Sequence, residues 1–336
     1  MARNCQRAPE VVRALVESGA RPRNITRMIS SICDAAAERF IALAEAELGP
    51  PPAPFVFIAM GSHGRQEQTL VTDQDNAIIF ADQNNPVELT AATEYFLKLG
   101  AKVCGWLEQA GYPACRGGFM ASNPRWCRPL SDWQTHFSNW ISRAEPQELL
   151  EFSIFFDFRA VRGDGDLASA LRRHIHMELA QQPAFFPHLA RAALRYSPPV
   201  RLFGSIYLGG GAAEHAGQLD LKDTVMSLVD FARLYALRHA VDHTHTLDRL
   251  DALAERAIVQ ATTSDEITAT YDFLMRLRLQ RQLASIQMGQ TPGNTIDLRH
   301  LRHTEEALLR HAFAQISAIH KKITYDFLGA VPGAAG

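Results

Sequence analysis

Two short apolar runs joined by a glycine turn constrain the fold of this chain more than any other feature. The first run, Phe55–Ala59, consists of residues that favour β-strands and ends just before Gly61-Ser62. The second run, Ala77–Phe80, is entered through Asp73-Gln74-Asp75. The pattern therefore predicts a strand, a glycine turn and a second strand that begins with acidic residues.

The two aspartates of this stretch predict a metal site. Residues two apart in an extended segment point to the same side, so Asp73 and Asp75 are expected to present their carboxylates together. Such a pair repels itself unless a cation lies between the two groups. Mg²⁺ prefers oxygen ligands and is commonly held by one or two carboxylates together with substrate phosphates. Gly61 has no Cβ and lets the backbone approach those phosphates, and the Ser62 hydroxyl can donate a hydrogen bond to them.

These residues resemble the motif of the nucleotidyltransferase superfamily related to DNA polymerase β. Its hallmark is a Gly-Ser or Gly-Gly pair followed after a short interval by Asp-x-Asp, and here the motif reads Gly61-Ser62 and Asp73-Gln74-Asp75. The longer sequence GSHGRQEQTLVTDQDNAIIF, with GGFMASNPRW at Gly117–Trp126, resembles the DUF294 group of nucleotidyltransferases. That group is similar to the catalytic parts of PII-uridylyltransferase and glutamine-synthetase adenylyltransferase.

The resemblance implies a fold and a reaction. The implied fold is an α/β (α+β) nucleotidyltransferase domain with a mixed sheet, followed by an all-α helical bundle that helps to hold the acceptor substrate. The implied reaction transfers a nucleoside monophosphate from an NTP, ATP or UTP, to an acceptor hydroxyl with Mg²⁺ or Mn²⁺ and releases pyrophosphate. The relatives in nitrogen control imply a protein acceptor and a role in signal transduction. Gln74 and Asn76 depart from the apolar residues that many superfamily members carry, although the DUF294 sequence includes them.

Composition limits the classes of protein that this chain can belong to. With 336 residues it is long enough for two domains, and Lys plus Arg (34) nearly balance Asp plus Glu (36). No overall basic field therefore predicts a nucleic-acid partner. The five cysteines form no CxxC pair, which is typical of reduced thiols in a cytoplasmic protein. No signal-peptide pattern or long apolar run predicts export or membrane insertion.

Hydrophobic periodicity predicts three regions along the chain. Residues 1–50 form N-terminal helices, residues 51–196 form the nucleotidyltransferase domain, and residues 197–330 form a helical bundle that binds substrate. Residues 146–161 are predicted to be mainly helical, with a strand over 154–161 as the alternative. The other predicted helices are Pro9–Ser18, a helix capped by Asn24 and ending at Leu48, Pro86–Ala110, Ser131–Arg143, Leu221–Ala240, Thr246–Ala261, Ser264–Met288 and Thr304–Phe327.

A third carboxylate usually completes a site for nucleotidyl transfer, and it can accept the proton of the attacking hydroxyl. Asp157 is the candidate, because an acid between two aromatic residues needs a cation or a metal to offset its burial. The alternative is an ion pair between Asp157 and Arg159 or Arg162. The counterpart position can also fall within residues 114–118, which contain no acid; the third carboxylate is then missing.

Three further residues are predicted to bind the nucleotide, each with a structural alternative. Arg65 follows the glycine turn and can bind phosphate bidentately, while the alternative is an ion pair with Glu67. Asn123 and Trp126 lie in the irregular stretch 111–129, which is predicted to form a wall of the active site. They can hydrogen-bond to and stack on a nucleobase, while the alternative is that they anchor the loop.

Two other functions are compatible with the same motif. One is a nucleotide-binding regulatory module that keeps the glycine turn and both aspartates but has lost turnover for want of a third acid. The other is a small-molecule adenylyltransferase of the antibiotic-modifying kind, which requires a deep acidic pocket for a cationic substrate. Carboxylate-dependent pyrophosphate release distinguishes the regulatory module from an enzyme.

Overall fold

A four-stranded mixed sheet contains both apolar runs that the sequence predicts to be strands. The structure, a computed structural model, describes residues 8–144, 153–196 and 217–329. The sheet has the order β3-β2-β1-β4, with β1 antiparallel to both neighbours and β3 parallel to β2. The strands are β1 Phe55–Ala59, β2 Asn76–Phe80, β3 Cys127–Pro129 and β4 Arg159–Gly163.

The register between β1 and β2 decides where the motif residues meet. Phe55 pairs with Phe80, and Ala59 at the end of β1 pairs with Asn76 at the start of β2. Beyond this pair, the Met60 amide donates to the Asp75 carbonyl at 2.9 Å. The glycine turn after β1 and the acidic segment before β2 therefore lie side by side, at the end of the sheet where β1 ends and β2 begins.

Five described helices lie before or around this sheet, and a sixth consists of a single turn after β1. They are α1 Ala8–Glu17, α2 Pro22–Leu48, α3 Gly61–Gly64, α4 Pro86–Gln109, α5 Leu130–Arg143 and α6 Gly165–Gln181. The start of α4 follows from its sequence, because Asn85 accepts from the amides of Val87 and Glu88 and Pro86 lacks the amide hydrogen that would otherwise be unpaired. The predicted cap at Asn24 is wrong, since α2 already begins at Pro22.

The segment predicted to be mainly helical before residue 161 is different in the structure. Residues 145–152 lie outside the described residues. Ser153–Asp157 forms a 3-10 helix and β4 follows it, so the strand given as the alternative is present with shifted bounds. The irregular stretch before α5 also contains a 3-10 helix, Pro124–Trp126, and the unpredicted strand β3.

Apolar packing fixes the two central strands. Every residue of β1 and β2 is buried, which requires cover on both faces of the sheet because successive side chains point to opposite faces. Ala37 and Ile41 of α2 and Phe96 of α4 belong to the apolar cluster around these strands. Burying a large apolar side chain contributes about 1.5–3 kcal/mol. The sheet edge that carries the acidic segment is therefore firmly placed.

A second group of helices follows; the four after residue 220 are predicted, whereas the first lies in the range predicted for the nucleotidyltransferase domain. These helices are α7 Phe185–Ala193, α8 Leu221–Arg238, α9 Thr246–Glu255, α10 Ala261–Gln287 and α11 His303–Leu328. The start predicted at Ser264 is wrong by three residues. An unpredicted pair of antiparallel strands, β5 Gln218–Asp220 and β6 Thr295–Asp297, leads into α8 and precedes α11.

The chain divides into two units by its internal contacts. Unit 1 comprises Met1–Leu15 and Asn24–Pro183, and unit 2 comprises Val16–Arg23 and Ala184–Gly336. The sheet and the motif residues belong to unit 1. No helix in the described part of the chain is both long enough and apolar enough to cross a membrane.

Candidate active site

An acidic group lies at the edge of the sheet where β2 begins. One ligand atom each from Asp73, Asp75 and Cys115 lie within 4.8 Å of one another. Both aspartates belong to the extended segment just before β2, not to the strand itself. The structure thus brings the two predicted metal ligands together and adds a thiol that the sequence did not single out.

Gly61 lies directly against one of these carboxylates. Its φ is +55°, and a Cβ at this position would lie 2.9 Å from the Asp75 Oδ2 and 3.0 Å from the Ile154 Cγ1. Only glycine lets the chain turn here while the carboxylate keeps its place. The hydroxyls of Ser62 and Thr72 lie 3.5 Å apart, so the turn is also close to the residue that precedes Asp73.

Gln74 fixes the acidic segment from its other side. Its side-chain amide is buried and donates to the carbonyls of Cys104 at 3.0 Å and Tyr112 at 2.9 Å. Its backbone amide donates to the Pro113 carbonyl at 2.9 Å. Because residues alternate along the extended segment, Gln74 binds the neighbouring loop while the flanking aspartates form the acidic group.

Asn76 docks the next part of the same loop. Its Oδ1 accepts from the Ala121 amide at 2.8 Å and from the Cys104 thiol at 3.4 Å, and its backbone amide donates to the Phe119 carbonyl at 3.0 Å. Sequence reasoning had noted Gln74 and Asn76 only as departures from apolar residues. A polar side chain at an otherwise buried strand entrance was the signal, because such a group must find hydrogen-bond partners.

Arg65 lies in a buried ion-pair network. Its Nε donates to the Glu67 Oε2 and its Nη1 to the Asp157 Oδ2, both at 2.7 Å. Burial lowers the pKa of the Arg65 guanidinium, but the charges of Glu67 and Asp157 raise it more, and the net pKa is above its usual range. Arg65 therefore forms the ion pair with Glu67 that was the alternative to phosphate binding. Its guanidinium is buried and already bound to two carboxylates.

Asp157 is fully buried in this network and is not a member of the acidic group. Its partner is Arg65, which corrects the prediction of a pair with Arg159 or Arg162. Those two arginines instead pair with Asp34 at 2.9 Å and Glu45 at 3.0 Å. The role of third carboxylate that we predicted for Asp157 has no geometric support.

Asn123 and Trp126 anchor their loop. Asn123 accepts from the Arg125 amide at the start of the 3-10 helix and donates from Nδ2 to the Gly118 carbonyl at 3.0 Å. Trp126 is only 1% exposed, and its ring centroid lies 4.4 Å from that of Phe155. The prediction that Trp126 stacks on a nucleobase is wrong for this arrangement, because other aromatic side chains already cover the ring.

His63 is a buried residue of the glycine turn that sequence reasoning missed. Its Nε2 lies 2.7 Å from the Asp34 Oδ1 on α2, and its Nδ1 lies 4.0 Å from the Cys33 sulfur. Burial lowers the pKa of His63, but Cys33 and Asp34 raise it more, so the pKa rises to about 9. Arg159 donates to the same Asp34 carboxylate, and the turn is thereby tied to α2 and β4. A single sequence contains no signal for this link.

The acidic group fits a divalent cation. Two carboxylates beside a turn that only glycine can form offer the oxygen ligands that such an ion takes. The thiol is a different kind of donor, since burial and the charge of Asp75 raise the pKa of Cys115 to about 11. Mg²⁺ takes oxygen ligands and does not select sulfur.

Comparisons with known proteins identify a nucleotidyltransferase family. Residues 6–147 match the family described as "Putative nucleotidyltransferase DUF294", and residues 183–327 match "Putative nucleotidyltransferase substrate binding domain". The chain is also similar to two bifunctional glutamine synthetase adenylyltransferase/adenylyl-removing enzymes. The enzyme from Corynebacterium diphtheriae is 23% identical over 327 residues, which cover 90% of this chain and 29% of that enzyme.

The enzyme from Nocardia farcinica is 25% identical over 284 residues, which cover 80% of this chain and 26% of that enzyme. The chain thus spans less than a third of the length of either relative. The two family matches include most of both units, and the first contains the glycine turn and the acidic segment. The chain therefore belongs to the DUF294 family of nucleotidyltransferases.

Proposed function

We propose that the protein transfers a nucleoside monophosphate from an NTP to an acceptor hydroxyl and releases pyrophosphate, with Asp73 and Asp75 as ligands of Mg²⁺ or Mn²⁺. The observation that carries this proposal is that the Asp75 carboxylate lies against the glycine turn and the Asp73 carboxylate lies beside that of Asp75. A bound divalent ion would neutralise charge on the triphosphate and polarise the reacting phosphorus. ATP is the favoured donor, because the curated relatives are named adenylyltransferases.

Each residue of the site has a separate role. Asp73 and Asp75 hold the ion, and Gly61 keeps the backbone close enough for the phosphates to lie against the turn. The Ser62 hydroxyl is in place to donate a hydrogen bond to a phosphate oxygen.

We propose that the acceptor is a protein side chain and that the modification serves a regulatory role in the cytoplasm. The curated relatives carry the name of a protein substrate, glutamine synthetase. The match of residues 183–327 to a substrate-binding domain supports unit 2 as the part that holds the acceptor. The free state of the described cysteines supports a reducing compartment.

The test is incubation with each of the four labelled NTPs and with Mg²⁺ or Mn²⁺, followed by measurement of pyrophosphate and of labelled protein. Asp73→Asn and Asp75→Asn should each abolish the signal. Asp265→Asn is the matched control, because Asp265 is exposed on α10 and far from the motif in sequence. Equal pyrophosphate release by the wild-type protein and the three variants would refute the assignment of the two aspartates.

One observation favours a second function. Among the described residues, the acidic group contains two carboxylates and a thiol but no third carboxylate. A nucleotide-binding regulatory module without turnover needs no third acid. Stoichiometric nucleotide binding that depends on Asp73 and Asp75, with no pyrophosphate from any NTP, would establish this second function in place of the first.

A further inference from the structure

The third member of the acidic group is a thiol where a carboxylate was expected. The sequence left open that the third acid falls within residues 114–118, which contain none. The structure places Cys115 of this segment beside Asp73 and Asp75, with one donor atom of each within 4.8 Å of the others. A sulfur donor, which prefers softer metal ions than a carboxylate does, therefore occupies this position.

The loop holds this thiol in place. Buried amides of Gln74 and Asn76 bind the loop on both sides of Cys115, at Tyr112 and at Ala121. The Gly118 amide donates to the Cys115 carbonyl at 3.0 Å and closes a turn around the residue. Cys115 is also partly exposed, whereas the other described cysteines are buried. The thiol is thus both positioned and accessible to a dissolved ion.

We propose that Asp73, Asp75 and Cys115 form a binding site for a thiophilic divalent cation, with Zn²⁺ as the prime candidate. Thiolate and carboxylate ligands together are typical of Zn²⁺ and Co²⁺, whereas Mg²⁺ takes oxygen ligands alone. The same two aspartates serve both kinds of ion, so Zn²⁺ competes with the catalytic ion. This competition rests on the proposed function, but binding of Zn²⁺ does not.

The geometry requires little movement. In a tetrahedral Zn²⁺ site with Zn–S of about 2.3 Å and Zn–O of about 2.1 Å, donor atoms lie about 3.4–3.6 Å apart. The three donors already lie within 4.8 Å of one another. The distances therefore need to shorten by at most about 1.4 Å, and a water or a phosphate oxygen supplies the fourth ligand.

Co²⁺ gives a direct spectroscopic test, because a thiolate bound to Co²⁺ produces a sulfur-to-metal charge-transfer band in the near ultraviolet. Addition of Co²⁺ to the wild-type protein should produce this band. Cys115→Ser and Asp75→Asn should lose it, and Cys127→Ala, which removes a buried thiol, should keep it. Competition with a chelating dye should show a Zn²⁺ dissociation constant at least about tenfold higher for Cys115→Ser.

The outcomes separate this inference from the proposed reaction. Wild-type protein that binds Co²⁺ without a charge-transfer band, or Cys115→Ser with unchanged Zn²⁺ affinity, overturns the thiol site even if nucleotidyl transfer is observed. A band that depends on Cys115 and Asp75 establishes the site even if no NTP is turned over. Zn²⁺ inhibition that Mg²⁺ relieves in the wild type then supports competition for the two aspartates.

Discussion

The side-chain amide of Gln74 offers the sharpest test of how the site is assembled. Gln74→Met keeps the length and approximate volume of the side chain but removes both N–H donors. The carbonyls of Cys104 and Tyr112 then lose a partner in a buried place. Each intramolecular hydrogen bond contributes about 0.5–1.5 kcal/mol net, so the loss of both predicts a destabilisation of about 1–3 kcal/mol.

Tryptophan fluorescence during urea unfolding reports the free energy of unfolding of unit 1, to which Gln74 belongs. All four tryptophans of the chain, at positions 106, 126, 133 and 140, belong to unit 1. The free energy of unfolding of Gln74→Met should fall by the predicted amount at an unchanged urea dependence. Gln109→Met is the matched control, because Gln109 is exposed at the end of α4.

A second measurement links the hydrogen bonds to the site. If the Gln74 amide positions the loop, Gln74→Met should speed the reaction of Cys115 with a thiol reagent under native conditions. The other described cysteines are buried and should not contribute at this stage. Unfolding free energies of Gln74→Met and Gln109→Met within about 0.5 kcal/mol of each other would refute the reasoning.

Three further substitutions test the network around the glycine turn. Gly64→Ala should prevent folding of unit 1, because the new Cβ would lie 1.8 Å from the Asp157 carbonyl oxygen; circular dichroism and tryptophan fluorescence measure this. Arg65→Met should lower the free energy of unfolding by about 3–5 kcal/mol in urea, because it leaves the Glu67 and Asp157 carboxylates buried without their cation. His63→Gln should give a pH-dependent loss: the pKa of His63 is raised to about 9 from 6.5, so the stabilisation is fully present below pH 6.5 and disappears as pH rises through 9. Its full size is about 3 kcal/mol.

Each of these predictions has a control and a contrary result. Gly105→Ala should fold normally, because its new Cβ would have no atom within 4 Å. If Gly64→Ala gave the same circular dichroism and fluorescence as Gly105→Ala, the backbone around Asp157 would have moved to make room for the new Cβ. Arg39→Met removes an exposed guanidinium on α2 and should cost little. Asp34→Asn should reduce the pH dependence assigned to His63, and a stability difference that stays constant from pH 6 to about pH 10 would exclude the His63–Asp34 pair as its source.

The sequence by itself determined the elements whose pattern is local. Alternation along an extended segment predicted that Asp73 and Asp75 lie together, and two buried apolar runs predicted β1 and β2. The glycine turn predicted after β1 is present at Gly61, whose φ is +55°. These predictions held because strand periodicity and the steric freedom of glycine are properties of a few neighbouring residues.

The tertiary structure alone decided the partners of each polar side chain. Arg65 and Asp157 are 92 positions apart, and nothing in the composition around either residue selects that pair over Arg159 or Arg162. Trp126 became part of an aromatic cluster, and Cys115 reached the acidic group, because the loop is docked by the amides of Gln74 and Asn76. A buried polar group requires a partner, and the folded chain determines which partner is within reach.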